Sequence, residues 1–194
     1  LIIYIAGNIT ADFWTDSRLE PMLVSFAIAV ILIYILASSL ENKVAEWFRK
    51  IFPKVLVPIV LFQIVASVML IQQTGITHGR YYVIIFGIFA AVSGVLMCFM
   101  PVRKNGIIAA LLIGFSVFTI IPPVDAFTIS RANQVGRLTD TLVENKMLEN
   151  NTVSPNAAVS EADKKIISDS VNYLAMMEYT KEIPYLGEDF DLYE

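Results

Sequence analysis

The sequence predicts an all-α protein: a polytopic transmembrane helical bundle of four spans, with the end of an earlier span before them and a small soluble α-helical tail after them. Three observations lead there. Of the 194 residues, 56% are hydrophobic and 16% charged, which is more apolar surface than a single water-soluble core of this length buries. The apolar residues come in uncharged blocks, each long enough to cross ~30 Å of hydrocarbon at ~1.5 Å per residue. The charges divide unevenly: residues 1–124 hold eight Lys/Arg against five Asp/Glu, and residues 125–194 hold six against thirteen.

In chain order, residues 1–5 read as the last turns of an earlier span. The uncharged blocks 22–40, 55–71, 81–100 and 107–124 read as the four spans. Pro53 and Pro58 suit the start of the second or a kink tolerated within it. Before it, Val44, Trp47, Phe48, Ile51 and Phe52 recur at helical spacing with Lys43, Glu46, Arg49 and Lys50 opposite. That pattern predicts an interfacial helix over 43–52. The transmembrane region is thus 1–124, and 125–194 is a soluble acidic segment.

Short loops richer in Lys/Arg stay cytoplasmic. Lys43, Arg49, Lys50, Lys54, Arg103 and Lys104 fall on one side of the four spans, against Arg18, Arg80, Arg131 and Arg137 on the other. The chain is therefore expected in a cell membrane as a multi-pass protein, with its tail extracytoplasmic. The acidic tail is ill suited to nucleic acid.

The stretch QQTGITHGR, 72–80, separates the second and third spans. Gly75 suits the residue that ends one helix, and Thr77 the cap of the next. Arg80 falls in the first turn of the third span, where the helix dipole disfavours a cation by roughly 0.3–1 kcal/mol. A lipid phosphate or a carboxylate offsets this, and Asp125 is the nearest candidate, followed by Glu20 and Asp16. His78, the single histidine, reads as an exposed surface residue standing alone.

In the tail, Ile129, Ala132, Val135, Leu138 and Leu142 give one apolar helix face, with Arg131, Gln134, Arg137 and Thr141 opposite, free to rest on headgroups or on a partner domain. ENNTVSPNAAV breaks that helix. A second begins at Ser160, which forms a capping box with Asp163, and carries an apolar stripe through Ile166, Ile167, Ser170, Val171, Leu174 and Met177. The ending, IPYLGEDFDLYE, mixes aromatics with carboxylates and reads as a docking segment.

One His and one Cys cannot supply a zinc site, and no phosphate-binding glycine loop or nucleophile elbow is present. No metal, cofactor or catalytic residue is expected, and the chain does not read as an enzyme. The polar residues inside the blocks, Gln63 foremost, are not ionisable; Gln63 either binds a substrate or joins two helices by a hydrogen bond. Gly87, Ala90, Ala91 and Gly94 read as a surface for close helix approach.

GITHGRYYVIIFGIF and PPVDAFTISRANQVGRL resemble the bacterial multi-pass membrane proteins of domain-of-unknown-function family 4153. The resemblance is carried by Gly75, Thr77, Arg80 and Tyr81, then by Pro123, Ala126, Phe127, Ser130, Arg131, Gln134, Arg137 and Leu138. It implies the C-terminal part of a many-span bacterial protein and no defined activity. From the residues, the expected role is a bundle anchoring an extracytoplasmic binding or sensing segment. Its partners are the lipid bilayer and another envelope protein or an upstream part of the same chain. The alternative is part of a transporter or channel whose substrate-handling helices lie upstream. The residues singled out for structural or binding roles are Arg80, Asp125, Gln63, Arg131 and Arg137.

Overall fold

Three long apolar helices dominate the chain in the computed structural model, which describes residues 19–186. The expected earlier span at 1–5, together with Asp12, Asp16 and Arg18 and the acidic end of the docking segment, lies outside the described residues. The elements are α1 (Leu19–Leu36, continued by a 3-10 turn Ala37–Ser39), α2 (Lys43–Thr74), α3 (His78–Phe99), α4 (Gly106–Phe118), α5 (Ala126–Glu144), strands β1 (Leu148–Glu149) and β2 (Thr152–Val153), α6 (Glu161–Met176) and a 3-10 turn Thr180–Glu182. They form two compact units. The first takes 19–70 and 80–121; the second takes 71–79 together with 122–186. The second unit is therefore not only the tail: it includes the turn between α2 and α3.

In the first unit, α1 with its 3-10 extension, α2 and α3 are each long and apolar enough to cross a membrane. The helix α1 starts at Leu19, before the uncharged block, so Glu20 lies in its first turn. At its other end Arg49 donates to the carbonyls of Ala37 and, at 2.9 Å, of Leu40, satisfying acceptors that a helix terminus leaves open. Asn42 caps α2 by accepting from the Ala45 amide at 2.8 Å. From there the helix runs unbroken for 32 residues, with Pro53 and Pro58 inside it. The expected interfacial helix 43–52 and the span 55–71 are thus one element. Each proline removes a single backbone donor, and Pro53 is buried among apolar neighbours that hold the helix together.

Helices α2 and α3 approach closely where α3 is small. A Cβ on Gly87 would stand 2.9 Å from the Ile64 side chain, and one on Gly94 would stand 2.9 Å from that of Val57. The core they share with α1 and α4 holds Ala27, Tyr34, Leu56, Val60, Phe89 and Ile108. The Tyr34 hydroxyl donates to the Met97 carbonyl at 3.4 Å.

The fourth block behaves differently from the expectation of a full span over 107–124. Only 13 residues are helical, about 20 Å at ~1.5 Å per residue. The Thr119 hydroxyl turns back to the Ser116 carbonyl at 2.8 Å, and Pro122 restricts the residue before it to non-helical backbone. Hydropathy counts Thr119–Val124 into the block; proline chemistry takes it out of the helix.

In the second unit, α5 packs on α6 around Leu138, Leu142, Leu174 and Ile183. Ser160 caps α6, accepting from the Asp163 amide at 3.1 Å, which is one half of the expected capping box; the Asp163 carboxylate accepts from the Ser160 hydroxyl at 2.9 Å. The helix-breaking stretch 149–159 contains a small antiparallel hairpin, with Leu148 opposite Val153. Its turn residues Asn150 and Asn151 both take positive φ, 50° and 60°, which asparagine tolerates better than most residues.

Candidate functional site

The second unit closes around the end of α2. An α-helix leaves its last four carbonyls without intrahelical donors, and here every one of the four has a partner. The Gly75 amide donates to Ile71 O at 2.8 Å. Arg137 donates to Gln72 O at 3.3 Å and, with its other terminal nitrogen, to Gln73 O. Gln134 Nε2 donates to Thr74 O at 3.1 Å and also to Ile76 O at 3.2 Å. The Ile76 amide in turn donates to Asn133 Oδ1 at 2.8 Å. A guanidinium at a helix C-terminus also meets the negative end of the helix dipole.

This clasp explains its glycine. Gly75 has φ +76°, and a Cβ there would lie 2.6 Å from Gln134 Nε2 and 3.1 Å from Asn133 Oδ1. Both the backbone and the space require glycine.

A second set of contacts holds the start of α3. The His78 ring stacks on Phe127 at 5.6 Å, and its Nδ1 lies 3.1 Å from the Tyr173 hydroxyl, which also accepts from the His78 amide at 3.1 Å. Tyr173 donates to Ser130 Oγ at 2.9 Å, and Ser130 donates onward to Phe127 O at 3.2 Å. With its own proton given to Ser130, the Tyr173 hydroxyl is placed to accept from His78 Nδ1 in the tautomer that carries its hydrogen there. His78 is therefore half-buried and engaged, not exposed and alone.

The residues singled out from sequence fall as follows. Gln134, Arg137 and Thr141, expected to face headgroups or a partner domain, lie on the inner side of α5: Gln134 and Thr141 are buried and Arg137 reaches the α2 carbonyls. Ala132, expected in the apolar stripe, is exposed. Arg131 pairs with Glu182 and lies 5.4 Å over the Tyr179 ring. Asp125 is the N-cap of α5, accepting from the amides of Phe127 and Thr128 at 3.0 and 2.9 Å. The Thr128 hydroxyl and then these amides hold its carboxyl below the usual carboxylate range. Arg80 is in the first turn of α3, as expected. Gln63 joins two helices of the first unit, donating from Nε2 to the Val83 carbonyl at 3.1 Å.

Asn133 and Tyr173 were not singled out from sequence. Neither belongs to the polar series Ser130, Gln134, Arg137 and Thr141, which steps by four, three and four at helical spacing. Glu20 was also undervalued, since its carboxylate accepts from the buried Ser67 hydroxyl at 2.5 Å. Among the described residues, no three His, Cys, Asp or Glu gather as a metal site. A cavity of about 180 Å³ between α3 and α4 is lined mainly by aromatic and aliphatic side chains, with Ser116 and Thr119 its polar members.

Apolar helices of membrane-crossing length, joined through a turn clasped by a second helical unit, define a membrane-type helical protein and no recognised catalytic class. The match to a family model is specific: residues 15–161 match the domain of unknown function DUF4153, and the chain belongs to that family. No curated protein and no solved structure matches the chain. Of the motif residues, Gly75, Gln134 and Arg137 build the clasp, and Phe127 and Ser130 belong to the contacts around His78.

Proposed function

We propose that this is an integral membrane protein of the bacterial inner membrane whose bundle anchors an extracytoplasmic binding or sensing unit. It is not an enzyme and uses no cofactor. Its partners are the lipid bilayer and another envelope protein or further parts of the same chain. The observation that carries the reading is the clasp. A unit that only hangs from a bundle needs a linker, whereas this one holds all four terminal carbonyls of an apolar helix, so a ligand that shifts α5 acts directly on the end of α2.

The same packing supports four crossings. Residues 71–79 and 122–186 belong to one compact unit, and in this reading both lie on the same side of the membrane. Chain that leaves that side along α3 must return before Pro122, which makes α4 with the apolar residues after it the returning segment. Cysteine accessibility tests the arrangement: in a Cys98→Ala background, single cysteines at Glu46, Lys104 and Ser160 should divide into two inner positions and one outer. Labelling of position 160 only after the cytoplasm is opened reverses the orientation and removes the sensing reading.

One observation favours transport as the second reading. Glu20 places a carboxylate against the buried Ser67, and Gln63, fully buried one turn away on the same face of α2, has an Oε1 without a partner among the described residues. Carboxylates within apolar bundles mark ion pathways. Under this reading Glu20→Gln abolishes an ion-dependent flux in reconstituted vesicles; flux that survives the substitution excludes it.

A further inference from the structure

The continuous α2 has a consequence that neither the separate interfacial helix nor the sensing role contains. At about 100° per residue, Lys43, Lys50 and Lys54 lie within about 40° of one another around the helix, and Trp47 falls beside them. All four are exposed, Trp47 at 57%. Further along the same sector the face turns apolar without leaving the surface: Leu61, Val65 and Val68 are 51%, 52% and 43% exposed. Arg49 is not part of this stripe, since it is engaged on the carbonyls closing α1. Those contacts set the end of α1 level with Arg49, so Lys43 and Trp47 extend past it.

We infer that the outer face of α2 is a binding site for an anionic phospholipid: its phosphate is drawn to the sector of Lys43, Lys50 and Lys54, with Trp47 beside it, and its acyl chain runs along Leu61, Val65 and Val68. Charge and shape both select this occupant. Three cations in one sector, against the single carboxylate of Glu46 at its edge, attract an anion, and the apolar continuation below them suits a tail attached to it. A zwitterionic lipid carries its own cation and gains little from the lysines. The inference rests on the reading of α2 as a membrane helix and is independent of any sensing role.

The test uses the full chain, purified in a nonionic detergent and challenged with phosphatidylglycerol or phosphatidylcholine, with retained lipid counted by native mass spectrometry. The expected result is a phosphatidylglycerol preference of roughly tenfold or more, as three surface lysines supply. It disappears in Lys43→Gln/Lys50→Gln/Lys54→Gln and persists in Arg103→Gln/Lys104→Gln, which removes charge elsewhere. A photoreactive phosphatidylglycerol should crosslink within residues 43–68. Equal retention of the two lipids, an unchanged preference in the lysine variant, an equal loss in the arginine–lysine control or crosslinks confined to other helices each overturns the site. A chain that stays folded and dispersed without detergent overturns the membrane reading itself, a separate outcome.

Discussion

Gly75 takes φ +76° with no room for a Cβ, so both its backbone and its neighbours respond to any side chain there. Gly75→Ala is expected to cost at least ~1–2 kcal/mol from the left-handed backbone alone, before the displacement of Gln134 is counted. A thermal unfolding midpoint in detergent within error of the parent would show that the clasp is not formed. Gln134→Leu keeps the volume but withdraws the donor shared by Thr74 O and Ile76 O, and unpaired buried acceptors cost about 1–3 kcal/mol each at most. Hydrogen exchange locates this loss: the Gly75 and Ile76 amides should exchange faster in the variant, and unchanged protection there would count against the bonding described. Asp125 gives a pH signature. Its carboxyl is held below the usual range in the folded chain, by the Thr128 hydroxyl first and the cap amides next. A depressed folded value means that the ionised form stabilises the fold. That contribution is complete above the ordinary carboxylate value and is lost as pH falls through the lower, folded one. The parent and Asp125→Asn should therefore differ in midpoint at neutral pH and converge in acid; a gap that widens on acidification contradicts the capping role.

Among the elements, capping patterns and turn residues transferred from sequence to structure with the least change. Ser160 caps α6, Gly75 ends α2, and Thr77 stands directly before α3. These signals are local, since donor and acceptor are a few residues apart and no distant contact can override them. Ser160→Ala should lower stability by ~0.5–2 kcal/mol and expose the Asp163 amide to exchange first. The helix face of α5 transferred less well. Hydropathy assigns Gln134 and Thr141 outward, but burial is decided by the partner, and here the partner is a row of carbonyls that needs donors. Leu174, fully buried against α5, was in the expected stripe, and Leu174→Ala should cost ~2–5 kcal/mol, measured by urea or thermal unfolding of the second unit. A cost below that range would mean the α5–α6 core is not closed around it.

For the whole molecule, composition identifies three apolar helices without ambiguity, because each is an unbroken run that only hydrocarbon or a protein interior covers. The fourth block is as apolar as the others, yet its helix ends at Phe118, before Pro122 and Pro123, so helix length alone does not make it a span. Membership of DUF4153 is equally visible in residues scattered over two distant stretches. What those residues do is not visible there: Gly75 and Gln134 are 59 positions apart, and only folding places the amide beneath the glycine.

The sequence by itself determined the helical class, the apolar segments, the caps and the family, since each depends on residue type or on neighbours within a turn or two. The tertiary structure alone decided that α2 is one helix through two prolines, that the turn at 71–79 belongs with the later residues, and that Gln134 and Arg137 point inward to hold it. The reason is physical. Local chemistry fixes where a helix can start and stop, whereas the direction in which a polar face turns depends on which unpaired backbone groups the rest of the chain brings to it.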